Sequence, residues 1–237
     1  MAPITIGELT KAIRHPGTLN KSTGPDNLPV EVLRQLSEAN IGTLLHHLNA
    51  ALSANQLPAS LRSATLRLLP KPDSDLTQPG SYRPIALIPH LTKVAERILL
   101  QRIETWRQSL ASPLLHPSQG GFVQGRGCDT QAHALRTAIE YHAARTIERL
   151  PPLVAVQLDL RKAFDTVGHG RLVRCLRDVG MPEQLVAACM LLLSHRSVAV
   201  TFEAAFCPTA AQRLLHERST PCVQWDDRLW SVQSGRG

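Results

Sequence analysis

The chain has 237 residues, 43% of them hydrophobic and only 4% aromatic, with a formal net charge of +7. That is enough chain for one large domain or two small ones around a mostly aliphatic core, and the positive balance favours a polyanionic partner. Cys128, Cys175, Cys189, Cys207 and Cys222 are scattered and odd in number, with no C-x-x-C pair, which argues against a disulfide scaffold or a zinc site and fits a reducing compartment.

The first fifteen residues, MAPITIGELTKAIRH, lack a long apolar core and do not read as a signal peptide. Ser22–Asn27 is a turn cluster, followed by Pro29. From Val30, the positions Leu33, Leu36, Leu44, Leu45, Leu48 and Leu52 predict helices ending near Pro58. SATLRLL at Ser63–Leu69 is short, partly alternating and stopped by Pro70, so it reads as a strand. The polar loop KPDSDLTQPGS follows. Leu91, Val94, Ala95, Ile98, Leu99, Ile103 and Trp106 recur at helical spacing. Gln119–Thr130 is glycine-rich, and Ala132, Leu135, Ala138, Ile139 and His142 mark another helix, stopped by Pro151-Pro152.

Leu153–Asp159 is the best strand by sequence. Helices are expected near Leu172–Val179 and Pro182–Ser194, and a strand at Ser197–Phe202. LVAACMLLL at Leu185–Leu193 is the longest apolar run, too short to span a bilayer, and reads as a buried helix. Periodicity is lost from Pro208. The charge is uneven, with nine Lys/Arg against four acids over residues 59–127. A solvated helix face and a polyanion-binding surface both account for that stretch.

The strand LVAVQLD ends on a carboxylate. Val154, Val156 and Leu158 alternate with Leu153, Ala155, Gln157 and Asp159, so both faces are mostly apolar and the strand should lie inside a covered sheet. A carboxylate there is costly unless paired, hydrogen-bonded or bound to a cation. Asp159 therefore caps the next helix, pairs with Arg161 or Lys162, or binds Mg²⁺ for phosphoryl chemistry. Asp165, just before a helical pattern, reads as an N-cap.

LDLRKAFDTV at Leu158–Val167 resembles the first catalytic motif of the reverse transcriptases of non-LTR (LINE-type) retrotransposons. GPDNLPVEVL, LRLLPKPDSD, SYRPIAL and QGGFVQGRGCDTQ resemble earlier blocks of that family in the same order, over about Gly24–Phe202. The resemblance implies an α+β fold: polymerase right-hand fingers at 24–150 after a lead-in at 1–23, an incomplete palm at 151–203, a divergent tail at 204–237, and no thumb. It implies that Asp159 is the first catalytic carboxylate and a Mg²⁺ (or Mn²⁺) ligand, helped by the Leu160 carbonyl. Phe164 would lie under the incoming sugar and exclude a 2′-hydroxyl, the alternative being a core phenylalanine. Lys71 and Arg83 would hold the triphosphate, the alternative being solvated cations. Gly120, Gly121 and Gly125 would bring backbone close to template or nucleotide, or form an ordinary flexible loop.

The implied partners are an RNA template, a DNA primer and dNTPs, with no membrane, in the cytoplasm or nucleus. The later palm blocks of the family are not found. In Trp225-Asp226-Asp227 the aromatic adjoins the acidic pair, and no apolar hairpin strands are expected around it. The expectation is a polymerase domain fragment that is inactive alone, with a non-catalytic nucleic-acid-binding remnant as the alternative. A phosphoacceptor site lacks companion acids, and no G-K-[ST] supports a P-loop.

Overall fold

The computed structural model describes residues 2–145, 153–160, 163–164, 166–201, 222–226 and 229–230. It divides into two units, one of residues 1–106 with 168–237 and one of residues 107–167.

The larger unit begins with α1 (Ile6–Ile13), α2 (Val30–Arg34), α3 (Glu38–Ser53) and the short α4 (Ala59–Arg62). Thr5 and Glu8 close α1 with a reciprocal capping box. Strands β1 (Ser63–Pro70) and β2 (Tyr82–Leu87) form an antiparallel hairpin, and α5 (His90–Gln108) follows. After residues 107–167 the chain returns with α7 (His169–Asp178), α8 (Glu183–Leu193) and β3 (Ser197–Thr201). β3 lies parallel to β1, and the sheet order is β2-β1-β3-β4-β5, with β4 (Cys222–Asp226) and β5 (Leu229–Trp230) at the far edge.

Two cores share α5. Val94 and Ile98 pack with Leu9, Ile13, Val30 and Leu48, while Leu99 packs with Leu57, Met181, Leu185, Val186 and Leu192. LVAACMLLL is a helix over this second core, as its composition implies, although Leu193 stays exposed. Gly24 is pressed against the chain that enters α5. A Cβ there would lie 2.4 Å from the Pro89 nitrogen and 2.5 Å from the Ile88 carbonyl carbon, both backbone atoms. Beside it His90 is 2% exposed, its Nε2 has no hydrogen-bond partner among the described residues, and burial pushes its pKa down.

The smaller unit holds α6 (Cys128–Ala144), preceded by the glycine-rich loop.

Two expectations are corrected here. Leu153–Leu160 is neither strand nor helix, and Val154, Val156 and Leu158 are 73–88% exposed. A run that is apolar on both faces becomes a buried strand only if other segments supply ladder partners and cover. No described strand pairs with it. The second concerns Trp225-Asp226. β4 and β5 do flank it, with Trp225 opposite Trp230 and Asp226 opposite Leu229. Val, Trp and Leu are well suited to a pleated pair, and β3 supplies the neighbour that β4 needs, with Val198 opposite Val223. Asp227 lies outside the described residues, as does Asp165.

Glu8 also ties α1 to α5. Arg102 Nε and Nη2 donate to its two carboxylate oxygens at 2.7 and 2.8 Å, and the guanidinium also donates to the Ala2 and Pro3 carbonyls. This holds the Glu8 pKa at about 2, well below its ordinary 4.5. A carboxyl depressed in the folded state stabilises fully above pH 4.5 and loses that contribution as pH falls through about 2. With the side chains 15% and 29% exposed, E8Q should cost about 1 kcal/mol at pH 7 after allowance for solvent screening. Urea unfolding at a series of pH values should show the gap to wild type closing between pH 4.5 and 2. The glycines give a second check. G24A should destabilise by about 1–3 kcal/mol because backbone must move. G42A, in the exposed interior of α3 with open space around it, should stabilise by about 0.5–1 kcal/mol in the same assay.

Candidate functional site

Lys71 and Arg83 sit together on the β1–β2 hairpin. Arg83 pairs with Leu69 across the ladder, and the Lys71 N–H donates to the Ser81 carbonyl at 2.8 Å, extending that ladder one step. Strand alternation puts Lys71 diagonal to Arg83 on one face, within reach of a shared anionic ligand. Lys71 Nζ donates to the Gly80 carbonyl at 2.7 Å and keeps two further donors. Arg83 is exposed, and no hydrogen bond or ion pair engages its side chain among the described residues.

The loop between the strands is built. Thr77 donates from its N–H and its hydroxyl to Asp75 Oδ1 at 2.9 and 2.7 Å, which holds the Asp75 pKa below its ordinary value. The Tyr82 hydroxyl donates to the Leu76 carbonyl at 2.9 Å. The ladder step onto Ser81 thus fixes where Lys71 stands, and the hydrogen bonds across the loop hold the turn that joins the two strands.

Most other cations of the basic stretch are used internally. Arg62 donates to the His195 carbonyl, Lys93 to Ser22, Arg97 to Ala12, and Arg126 to three carbonyls of its own loop. They are staples between segments, each satisfying a backbone acceptor that would otherwise need water.

In the smaller unit, Asp159 and Leu160 lie on the exposed segment after Leu153, and Phe164 follows with its ring 78% exposed, not in a core. Asp159 has no hydrogen bond or ion pair among the described residues, so it is neither a helix cap nor the partner of a described cation. Arg161 and Lys162 lie outside them. The Phe164 ring meets Phe122 edge to face, with centroids 6.0 Å apart and planes at 89°. Phe122 and Arg126 are the residues that the sequence reading passed over. The available signal was an aromatic inside a glycine-rich loop, where nothing local buries it.

The glycines of that loop differ in role. Gly125 has φ +78, a left-handed conformation that a side chain strains, and Gly120 lies against the Gln131 side chain. At Gly121 a Cβ would make only an ordinary contact, 3.8 Å from Gln119 Nε2.

A divalent ion for phosphoryl chemistry needs oxygen ligands, and a two-metal centre needs several carboxylates. No group of three or more His, Cys, Asp or Glu side chains able to hold a metal exists among the described residues. Asp159 with the Leu160 carbonyl does not complete such a centre. No helix among the described residues is long and apolar enough to cross a membrane.

The family model for reverse transcriptase (RNA-dependent DNA polymerase) matches residues 69–212, more than half of the chain and ten residues past Phe202, where the motif resemblance fades. A retrovirus-related Pol polyprotein from the type-1 retrotransposable element R2 of Popillia japonica is 32% identical over 181 residues, 76% of this chain and 23% of that protein. The transposon TX1 uncharacterized 149 kDa protein of Xenopus laevis is 31% identical over 78% of this chain and 13% of its own length. The RNA-directed DNA polymerase from mobile element jockey of Drosophila melanogaster is 28% identical over 78% of this chain and 19% of its own. The chain thus spans less than a quarter of each of these relatives. Its matched region encloses the hairpin cations, the glycine-rich loop and the LDLRKAFDTV segment, and on that ground the chain belongs to the reverse transcriptase family, in the form found in non-LTR retrotransposons.

Proposed function

We propose that this chain is the fingers and the first part of the palm of an RNA-directed DNA polymerase. The observation that carries this reading is the family match over residues 69–212, which contains every residue assigned by the motifs. Residues 24–150 are the fingers and 151–203 the partial palm. Lys71 and Arg83 neutralise the triphosphate of an incoming dNTP, because positioned cations stabilise charge on phosphate oxygens. Their placement on one face of a ladder-fixed hairpin supports that role. Phe164 presents a ring to the sugar and rejects a 2′-hydroxyl. Asp159, with the Leu160 carbonyl, contributes oxygen ligands to a Mg²⁺ or Mn²⁺ ion. RNA template and DNA primer are the polyanionic partners that the +7 charge fits.

One carboxylate does not make a two-metal centre, and no chemical step is assigned to this chain alone. A non-catalytic nucleic-acid-binding remnant is the second reading, favoured by the lack of a metal-holding cluster among the described residues.

Primer extension on an RNA template with Mg²⁺ or Mn²⁺ should show no incorporation above that of D159A; incorporation that D159A abolishes would show a complete centre. Anisotropy with labelled RNA should show binding that weakens steeply with salt and is unchanged in D159A. Binding that ignores salt would remove the nucleic-acid reading altogether. The double variant K71A/R83A should weaken dNTP binding at least tenfold in equilibrium dialysis, and an unchanged affinity would remove the hairpin from the nucleotide site.

A further inference from the structure

We propose that Phe122 is a positioning residue that sets the ring of Phe164 and so determines sugar selectivity, an inference that rests on the sugar-facing role given to Phe164 above. Both rings are exposed, Phe122 at 95% and Phe164 at 78%. Burial therefore does not choose their rotamers. A side chain that must exclude a single hydroxyl has to be held within about 0.5 Å of its working position. For an exposed phenyl on a segment that is neither helix nor strand, that restraint has to come from a specific contact. The one ring contact of Phe164 among the described residues is Phe122, at 6.0 Å and 89°, the edge-to-face geometry that aromatic quadrupoles prefer.

The backbone under Phe122 is built for this presentation. Its φ is +59, a conformation that a bulky residue adopts only when its surroundings impose it. The surroundings are at hand. Arg126 Nη1 donates to the carbonyls of His116, Pro117 and Gln119 at 3.3, 2.8 and 2.8 Å. The Arg126 N–H closes a turn onto the Val123 carbonyl at 3.1 Å, and Gln119 Nε2 donates to the Gly121 carbonyl at 3.0 Å. Gly125 takes the second left-handed position at φ +78. The loop is thus tied on both sides of Phe122, and a strained backbone holds an apolar ring out in water against one other ring. A ring with no partner to set would be expected to fold inward.

The test uses the full chain, with equilibrium dialysis of radiolabelled dUTP and UTP, which differ only at the 2′ position, in the presence of Mg²⁺. Wild type, F164A, F122A, F122L and F122Y are compared, with circular dichroism to show that each is folded. Wild type should prefer dUTP several-fold, and F164A should bring the ratio close to one. F122A and F122L should lower it at least halfway, on a logarithmic scale, towards that of F164A. F122Y, which keeps the aromatic edge, should retain the wild-type ratio. If F122A and F122L keep the wild-type ratio while F164A loses it, Phe122 has no such role and the reading of Phe164 stands. Recovery of the ratio by F122L would also overturn the inference, since apolar bulk alone would then suffice. If wild type binds neither nucleotide or shows no preference, or F164A leaves the ratio unchanged, the role of Phe164 falls and this inference falls with it.

Discussion

Helix α5 has to satisfy two cores at once, and the larger unit depends on that demand. Leu91, Val94 and Ile98 follow one ridge of the helix into the cluster around Leu9 and Val30. Ala95, Leu99, Ile103 and Trp106 follow the next ridge into the cluster around Val186 and Leu192. The two ridges are one residue out of step, about 100° apart on a helix of 3.6 residues per turn. The polar positions between them cannot be idle. Lys93, Arg97 and Arg102 reach carbonyls of the N-terminal segment, and Glu96 receives Arg196 Nη2 at 2.6 Å. Each long side chain lays its aliphatic stem along the helix and ends on a group that needs a partner.

This explains how a basic protein of this family spends its charge. A Lys or Arg that donates to a backbone carbonyl is held in place and partly desolvated, so burial lowers the pKa of Lys93 and Arg97. Such residues tie the helix to the segments beside it. The cations left for a ligand are those that geometry keeps outward, with Arg83 on the hairpin edge the plainest case. Lys71 is intermediate, anchored by one donor and open through the others. Selective use of this kind lets one stretch of sequence serve as staple and, in the function proposed above, as binding surface.

The smaller unit follows another logic. Its loop is tied by hydrogen bonds from Arg126 rather than by a core, and it exposes the apolar Phe122 among polar neighbours. Leu153–Leu160 and the Phe122–Phe164 pair lie where water would ordinarily drive association. In a polymerase fragment of the proposed kind, this is the surface that further palm structure and a nucleotide would cover.

Local features were readable from the residues alone wherever the signal was periodic and the partner lay within a turn or two. The apolar spacings in α3, α5, α6 and α8, the short runs of β1 and β3, and the ordered family motifs all carried through. Two elements passed unread for local reasons. β2 contains Pro84, which a strand tolerates only at an edge, where β2 indeed lies. α1 is eight residues long, and its clearest mark was the Thr5–Glu8 capping box. Tertiary structure alone decided the rest. Whether Leu153–Asp159 is a strand depends on ladder partners from distant segments, and its own residues cannot provide them. Gly24 is required by the backbone of Ile88–Pro89, 64 residues or more away, and Phe122 matters through Phe164, 42 positions on. Sequence specifies which conformations a segment favours; which of them is kept is set by the hydrogen bonds and contacts that only the folded chain brings within reach.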